Sequence, residues 1–209
     1  MKFIVKTFEG LEAVLCSELE QKGFKNPKPL RRAASFIGNL EDLYRANYTI
    51  SLGLRILQQI SYNKVNNEKE FYEYIYQIPW HRYFSVDKSI RVDVVLLTER
   101  YKNSLFLAQK AKDAIADRFR KETNERPVVD TRKPNIVINI HITDLEVTLS
   151  LDSSGETLNR RGYREFQGLA PINEVLARGM LSLSGWKPDA PLLDPMCGSG
   201  TIAIEATYE

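Results

Sequence analysis

The chain has 209 residues, 43% hydrophobic and 27% charged, which suits one large or two small folded cores rather than a disordered tail. Its 29 basic and 27 acidic residues leave a net charge of +2, too small to point to a partner by itself. No apolar run reaches the roughly 18 residues of a membrane helix, Lys6 interrupts any secretory core, and two cysteines with two histidines fall short of a zinc site or disulfide framework. The expectation is a cytoplasmic protein with no metal and no membrane contact.

The first sixty residues alternate strand and helix signals. Residues 2–7 place Phe3, Val5 and Thr7 on one face of a short strand, which Gly10 ends. Residues 11–22 carry Leu11, Val14, Leu15 and Leu19 at helical spacing, with Glu12, Glu18 and Glu20 outside and Gly23 as a stop. Pro27 and Pro29 bound a turn, and residues 30–38 read as a strand or a tight hairpin. Asn39 can cap a helix over residues 40–52, with Leu43, Ala46 and Ile50 inward, and residues 54–62 give another strand. With a hairpin at 30–38 the order becomes β-α-β-β-α-β, a ferredoxin-like unit over residues 1–62.

Polar residues 63–70 form a joint to a second unit, taken to run over residues 63–155. Phe71, Tyr74, Ile75 and Ile78 make a helical stripe that Pro79 ends, and residues 90–97 are a period-two strand. Residues 103–121 form the clearest amphipathic helix, with Leu105, Ala108, Ala111, Ala114, Ile115 and Phe119 inside and Lys110, Lys112, Arg118 and Lys121 outside. Residues 136–142 and 145–151 are two strands joined at Thr143-Asp144, a hairpin by spacing. The fold class is α/β (α+β), with a third unit, residues 156–209, beginning and not completed.

Charge is distributed unevenly. Residues 22–32 hold five positive charges and no negative one, residues 99–133 hold ten positive and six negative, and Arg160, Arg161 and Arg164 cluster further on. Solvated helix faces carry similar patterns, so the clusters make a phosphate-contacting surface plausible without establishing it. Trp80 and Trp186 read as core anchors, and His81 and His141 as structural.

Residues 191–209 carry the most chemistry. A short apolar strand is expected to end at Asp194, a Gly198-Ser199-Gly200 turn follows, and Thr201 opens a helix with Ile202 and Ile204. Glycines there let backbone amides approach a ligand, and the helix start offers unpaired donors. Such a β-loop-α opens an open α/β sheet, where ligands sit beyond the carboxyl ends of the strands. No lysine follows the last glycine, and the spacing is not G-x-G-x-x-G, so neither a P-loop nor the dinucleotide fingerprint is spelled.

Asp194-Pro195-Met196-Cys197-Gly198-Ser199-Gly200-Thr201 resembles the cofactor motif of Rossmann-like S-adenosylmethionine-dependent methyltransferases that act on RNA. Residues 151–164, then Ala170-Pro171-Ile172-Asn173-Glu174 and Ser184-Gly185-Trp186, are similar to the THUMP-containing guanine-N2 RNA methyltransferases, in particular the large-subunit ribosomal RNA branch. The resemblance extends upstream through Asp113-Ala114-Ile115 and residues 126–130, and more weakly to the start.

That resemblance implies a ferredoxin-like unit and a THUMP unit that together grip RNA, followed by the truncated start of a Rossmann-like methyltransferase domain. Asp194, Pro195, Met196, Cys197, Gly198, Ser199 and Gly200 would surround the methionine portion of S-adenosylmethionine, with Ala170, Pro171 and Glu174 lining the pocket opposite. Arg160, Arg161, Tyr163 and Arg164, with Lys110 and Arg118, are the RNA-contact candidates; salt bridges at a joint are the plain alternative for the arginines. Cys197 inside the loop reads as a small, partly buried side chain and not as a nucleophile. The expected substrate is 23S ribosomal RNA, the alternatives being transfer RNA, DNA adenine, or a non-catalytic RNA-binding module. The acidic ribose-binding residue and the N-P-P-aromatic loop of the family are not in the sequence, so no catalytic residue is assigned and the 209 residues alone are expected to be inactive, with weak or no cofactor binding.

Overall fold

A computed structural model of the protein describes residues 1–164 and 171–207. The chain divides into two compact units, Met1–Gln58 with Ser153–Glu209, and Gln59–Asp152.

The first unit follows the β-α-β-β-α-β order. Strand β1 (Lys2–Lys6) alternates in burial, so Phe3 and Val5 point into the core. Helix α1 (Glu12–Gln21) buries Leu15 and Leu19, and Gly23 after it has φ +76°, a left-handed conformation that glycine adopts without strain. Strands β2 (Lys25–Leu30) and β3 (Ala33–Ile37) form a hairpin, β3 pairs antiparallel with β1, and the strand order is β2-β3-β1-β4, where β4 is Arg55–Lys64. The Pro27 and Pro29 segment, expected to be a turn, is therefore a strand. It lies at the edge of the sheet, where a residue without an N–H takes no bond from the ladder.

Helix α2 (Leu40–Thr49) starts where expected. Asn39 Oδ1 accepts from the Asp42 amide at 2.9 Å while Asp42 Oδ2 accepts from the Asn39 amide at 3.0 Å, a reciprocal capping box. Beneath it, Phe36 packs against Phe3 and Phe24 with ring centroids 5.1 and 4.7 Å apart. Each such buried phenylalanine contributes roughly 1.5–3 kcal/mol.

The second unit contains residues 59–64 of β4, helix α3 (Glu68–Gln77), a 3-10 turn (Trp80–Arg82), strand β5 (Ile90–Leu97), helix α4 (Ser104–Thr123) and strands β6 (Ile136–Thr143) and β7 (Glu146–Asp152). Strands β5 and β6 are parallel, which requires a crossover, and α4 supplies it. Strands β6 and β7 form the expected hairpin, with Asp144 at φ +52° in its turn, and the order is β4-β7-β6-β5. Trp80 is fully buried and donates Nε1–H to the Ile75 carbonyl at 2.9 Å, among Phe71, Phe84, Leu107, Phe119 and Ile140. It is the core anchor expected.

After β7 the chain returns to the first unit. The Ser153 amide donates to the Ile56 carbonyl at 3.0 Å, Asn47 Nδ2 donates to Ser153 Oγ at 3.0 Å, and Leu158 packs on the core. Helix α5 (Glu174–Ser184), capped by Asn173 and ended by Gly185 at φ +72°, lies against α1; a Cβ on Gly179 would sit 2.5 Å from a Leu11 methyl. Helix α6 (Thr201–Ala206) opens at Thr201 as read. The strand expected before Asp194 is not formed: residues 191–194 are irregular, and Leu193 is 87% exposed. A strand needs a neighbour for its amides and carbonyls, and among the described residues this segment has none.

Candidate functional site

The loop ahead of α6 is built by short-range bonds. Asp194 Oδ1 accepts from the Met196 amide at 3.0 Å, and the Gly200 amide closes onto the Cys197 carbonyl at 2.7 Å. Gly198 and Gly200 have φ of +53° and +74°, so the peptide planes turn in a way that L side chains rarely permit. A Cβ on Gly200 would meet only the tip of Ile204 at 4.0 Å; conformation, not crowding, selects glycine there. Ser199 Oγ lies 3.2 Å from Thr201 Oγ1, and Pro195, Met196, Cys197, Gly198 and Ser199 are exposed. Cys197 is a free thiol on the surface, not the partly buried side chain expected.

Under this loop lies a charged network inside the first unit. Glu205 on α6 is fully buried, and its Oε1 is 2.8 Å from Arg161 Nε and accepts from the Tyr163 hydroxyl at 3.0 Å. Arg161 also donates to the Ser51 carbonyl at 2.7 Å, and Arg178 on α5 donates to the Glu205 carbonyl at 3.2 Å. Arg164 donates through one nitrogen to the Ile172 carbonyl and to Thr201 Oγ1, both at 3.1 Å, and the same nitrogen forms an ion pair with Glu174 Oε1 at 3.0 Å. Asn159 adds a bond to the other Glu174 oxygen at 3.3 Å.

Burial pushes the Glu205 carboxyl above its ordinary range, against the pull of Arg161. The Tyr163 hydroxyl is pushed up to about 12, by burial first and then by the Glu205 charge. The network ties residues 159–164, α5 and α6 into one body.

The six RNA-contact candidates are placed differently. Arg160 is exposed, its nearest acid Glu156 at 4.0 Å. Arg161, Tyr163 and Arg164 are in the network just described, with Arg161 and Arg164 side chains only 12% and 15% exposed. Lys110 pairs with Glu68 at 2.9 Å and lies over the Phe106 ring, and Arg118 pairs with Glu122 at 2.6 Å. Of the pocket candidates, Glu174 is buried by Arg164 and Asn159, Pro171 is exposed, and Ala170 lies outside the described residues. Sequence reading missed Glu205, Arg178 and Ser51. An acid among Ile202, Ile204 and Ala206, one turn after the buried Thr201, was the available signal for Glu205.

Among the described residues no group of three or more histidine, cysteine or acidic side chains is placed to hold a metal, and no helix is long and apolar enough to cross a membrane.

Comparison with known proteins gives three consecutive matches: the RlmL ferredoxin-like domain over residues 2–57, the THUMP domain over 65–152 and the RMKL-like methyltransferase domain UPF0020 over 161–209. A Synechocystis protein provisionally named as an RNA methyltransferase is 40% identical over 94% of this chain and 51% of its own length. The ribosomal RNA large subunit methyltransferase K/L of Psychromonas ingrahamii is 40% identical over 99% of the chain and 27% of its own. Two solved structures each align with 98% of this chain and 54% of theirs. One, a predicted N6-adenine-specific DNA methylase from Listeria monocytogenes, has a TM-score of 0.86 at 30% identity; the other, a provisionally assigned methyltransferase complexed with SAH, has 0.84 at 26%. The chain thus spans about half the length of one curated relative and under a third of the other. What the three matches support is a ferredoxin-like domain, a THUMP domain and a methyltransferase domain in succession along the chain.

Proposed function

We propose that this chain is part of an S-adenosylmethionine-dependent methyltransferase that methylates the exocyclic N2 amine of a guanine in 23S ribosomal RNA. In this reading residues 1–62 and 63–155 grip the RNA and residues 156–209 begin the catalytic domain. The observation that carries it is the Asp194–Gly200 loop at the head of α6, in a chain whose earlier residues match an RlmL ferredoxin-like domain and a THUMP domain.

The loop suits the amino-acid end of that cofactor. Gly198 lets its amide face a carboxylate without a Cβ in the way, the Gly200 amide being taken by the Cys197 carbonyl, and Asp194, held by the Met196 amide through one oxygen, has its second oxygen for an ammonium group. The cofactor supplies an electrophilic methyl group. A guanine amine is a poor nucleophile because its lone pair is delocalised, so the enzyme must orient it and accept its proton. No residue of the 209 is assigned that work, and on their own they are expected to bind RNA without turnover and to hold the cofactor weakly. Arg160, Lys110 and Arg118 are the proposed direct RNA contacts; Arg161, Tyr163 and Arg164 act by fixing the segment that presents Arg160.

The Listeria structure's description favours a second reading, DNA adenine methylation; transfer RNA is a third substrate with the same chemistry. Supplying the product of the natural reading frame with methyl-labelled cofactor and, separately, unmodified ribosomal RNA, transfer RNA and duplex DNA distinguishes them. Label in ribosomal RNA is the expected result, and label in DNA alone overturns the proposal.

A further inference from the structure

The corner of the first unit where β1 ends beside the β2–β3 turn gathers charge that sheet-edge protection does not explain. Lys25 and Lys28, with Pro27 and Pro29, are on the edge strand, where lysine and proline keep foreign strands from pairing. Lys6, Arg31 and Arg32 are not part of that device. Arg31 and Arg32 form the two-residue connection between the paired residues Leu30 and Ala33, and both are exposed. Lys6 is the register partner of Ala33, and the Thr7 amide donates to the Arg32 carbonyl at 3.0 Å, which sets the end of β1 against the turn.

Three features mark this corner. Lys6 is half-buried, and among the described residues no carboxylate pairs with its ammonium; burial and the neighbouring Arg32 charge hold it below the ordinary lysine range. The acid at the head of α1, Glu12, spends both oxygens on backbone, on the Arg32 amide at 2.9 Å and the Gly10 amide at 2.8 Å, while Glu9 is exposed in the preceding turn. Arg32 moreover has φ +54°, a conformation that glycine or asparagine fills with less strain. A guanidinium kept where glycine folds more easily, beside a half-buried unpaired ammonium, indicates a use for the charge.

We propose that Lys6, Arg31 and Arg32 form a binding site for RNA backbone phosphates on the ferredoxin-like unit, an inference that rests on the RNA-directed reading above. Guanidinium groups pair phosphate oxygens bidentately, and an arriving phosphate relieves the mutual repulsion of the three cations. An acidic peptide adding to the adjacent edge strand is disfavoured, because Pro27 and Pro29 offer it no amide.

The test is anisotropy of a labelled single-stranded RNA with residues 1–209 across a salt series, comparing the wild type with K6Q/R31Q/R32Q and with R32G. The triple variant is expected to bind about tenfold more weakly at low salt, with a log–log salt slope shallower by about 2, since each phosphate contact on a single strand contributes roughly 0.7. R32G keeps the turn, so it is expected to unfold at the same or a higher temperature than the wild type and still to bind more weakly; this separates a lost contact from a lost fold. Inorganic phosphate at matched ionic strength is expected to compete no better than chloride. An unchanged slope and affinity in the triple variant overturn the proposal and leave the RNA reading intact. Specific displacement by inorganic phosphate reassigns the site to a free anion and overturns it also. A wild-type chain that binds no nucleic acid overturns the proposal together with the reading beneath it.

Discussion

Replacing Arg161 by methionine removes one half of a buried ion pair and leaves the other half in place. Methionine fills the volume of the arginine stem, so the change is mainly one of charge. Glu205 is fully buried and the Arg161 side chain 12% exposed, so little solvent screens the loss. A buried charge left without its partner costs about 3–5 kcal/mol. At roughly 2–4 °C per kcal/mol for a chain of this length, the melting midpoint of the first unit falls by about 10 °C. The deficit depends on pH with a definite sign. Glu205 is already held above the ordinary carboxylate range, and loss of Arg161 raises it further. Between its folded and its ordinary value the folded variant binds a proton that the unfolded chain does not, so stability rises as pH falls through that window. Adding Glu205→Leu to Arg161→Met removes the orphaned charge and recovers more than half of the loss. Calorimetric scans of the single and double variants over a pH series check this. A single variant within about 1 kcal/mol of wild type at neutral pH, with no recovery on acidification, refutes the account of the network.

Asn39→Ala breaks the capping box of α2 and is expected to cost about 1 kcal/mol in urea denaturation, while Asn39→Asp retains the acceptor and most of the stability. Gly179→Ala forces a methyl group to 2.5 Å from the buried Leu11 side chain and is expected to destabilise by about 1–3 kcal/mol, with G179A/L11A losing less than the sum of the singles. In alkaline difference spectroscopy, Tyr72, Tyr74 and Tyr163 are each pushed up to about 12 by burial, Tyr72 also by Asp117 and Tyr163 by Glu205, so among the described tyrosines these three ionise latest. Tyr72→Phe reduces the late fraction from three to two, and an unchanged amplitude above pH 11 contradicts the placement of Tyr72 against Asp117.

Periodicity read the elements whose burial is local. The stripe of Leu15 and Leu19, the Asn39 cap, the alternation of β5 and the long face of α4 each announce a helix or strand within ten or twenty residues. Proline misled at β2, because the rule against proline in strands concerns central strands and nothing in the local sequence says which strand will be at an edge. An apolar run misled at residues 191–194, since a strand there depends on neighbours that the segment itself does not provide. The loop glycines were legible from the motif, and their positive φ values agree with the turn expected of them. The network beneath the loop was not legible. Arg161 meets Ser51 across 110 positions and Tyr163 meets Glu205 across 42, and no local pattern pairs residues that far apart. Two arginines of the cluster, Arg161 and Arg164, thus have buried acidic partners on α6 and α5, while Arg160 stays exposed.

The central claim, methyl transfer to a guanine amine in large-subunit ribosomal RNA, is tested most directly by the identity of the modified nucleoside. Protein expressed from the natural reading frame, S-adenosylmethionine and ribosomal RNA lacking its modifications are incubated, and the digested RNA is analysed by mass spectrometry beside an Asp194→Ala control. The account predicts N2-methylguanosine from 23S ribosomal RNA with the wild-type protein and its loss in the control. Methyladenine in DNA with no methylguanosine in RNA contradicts it.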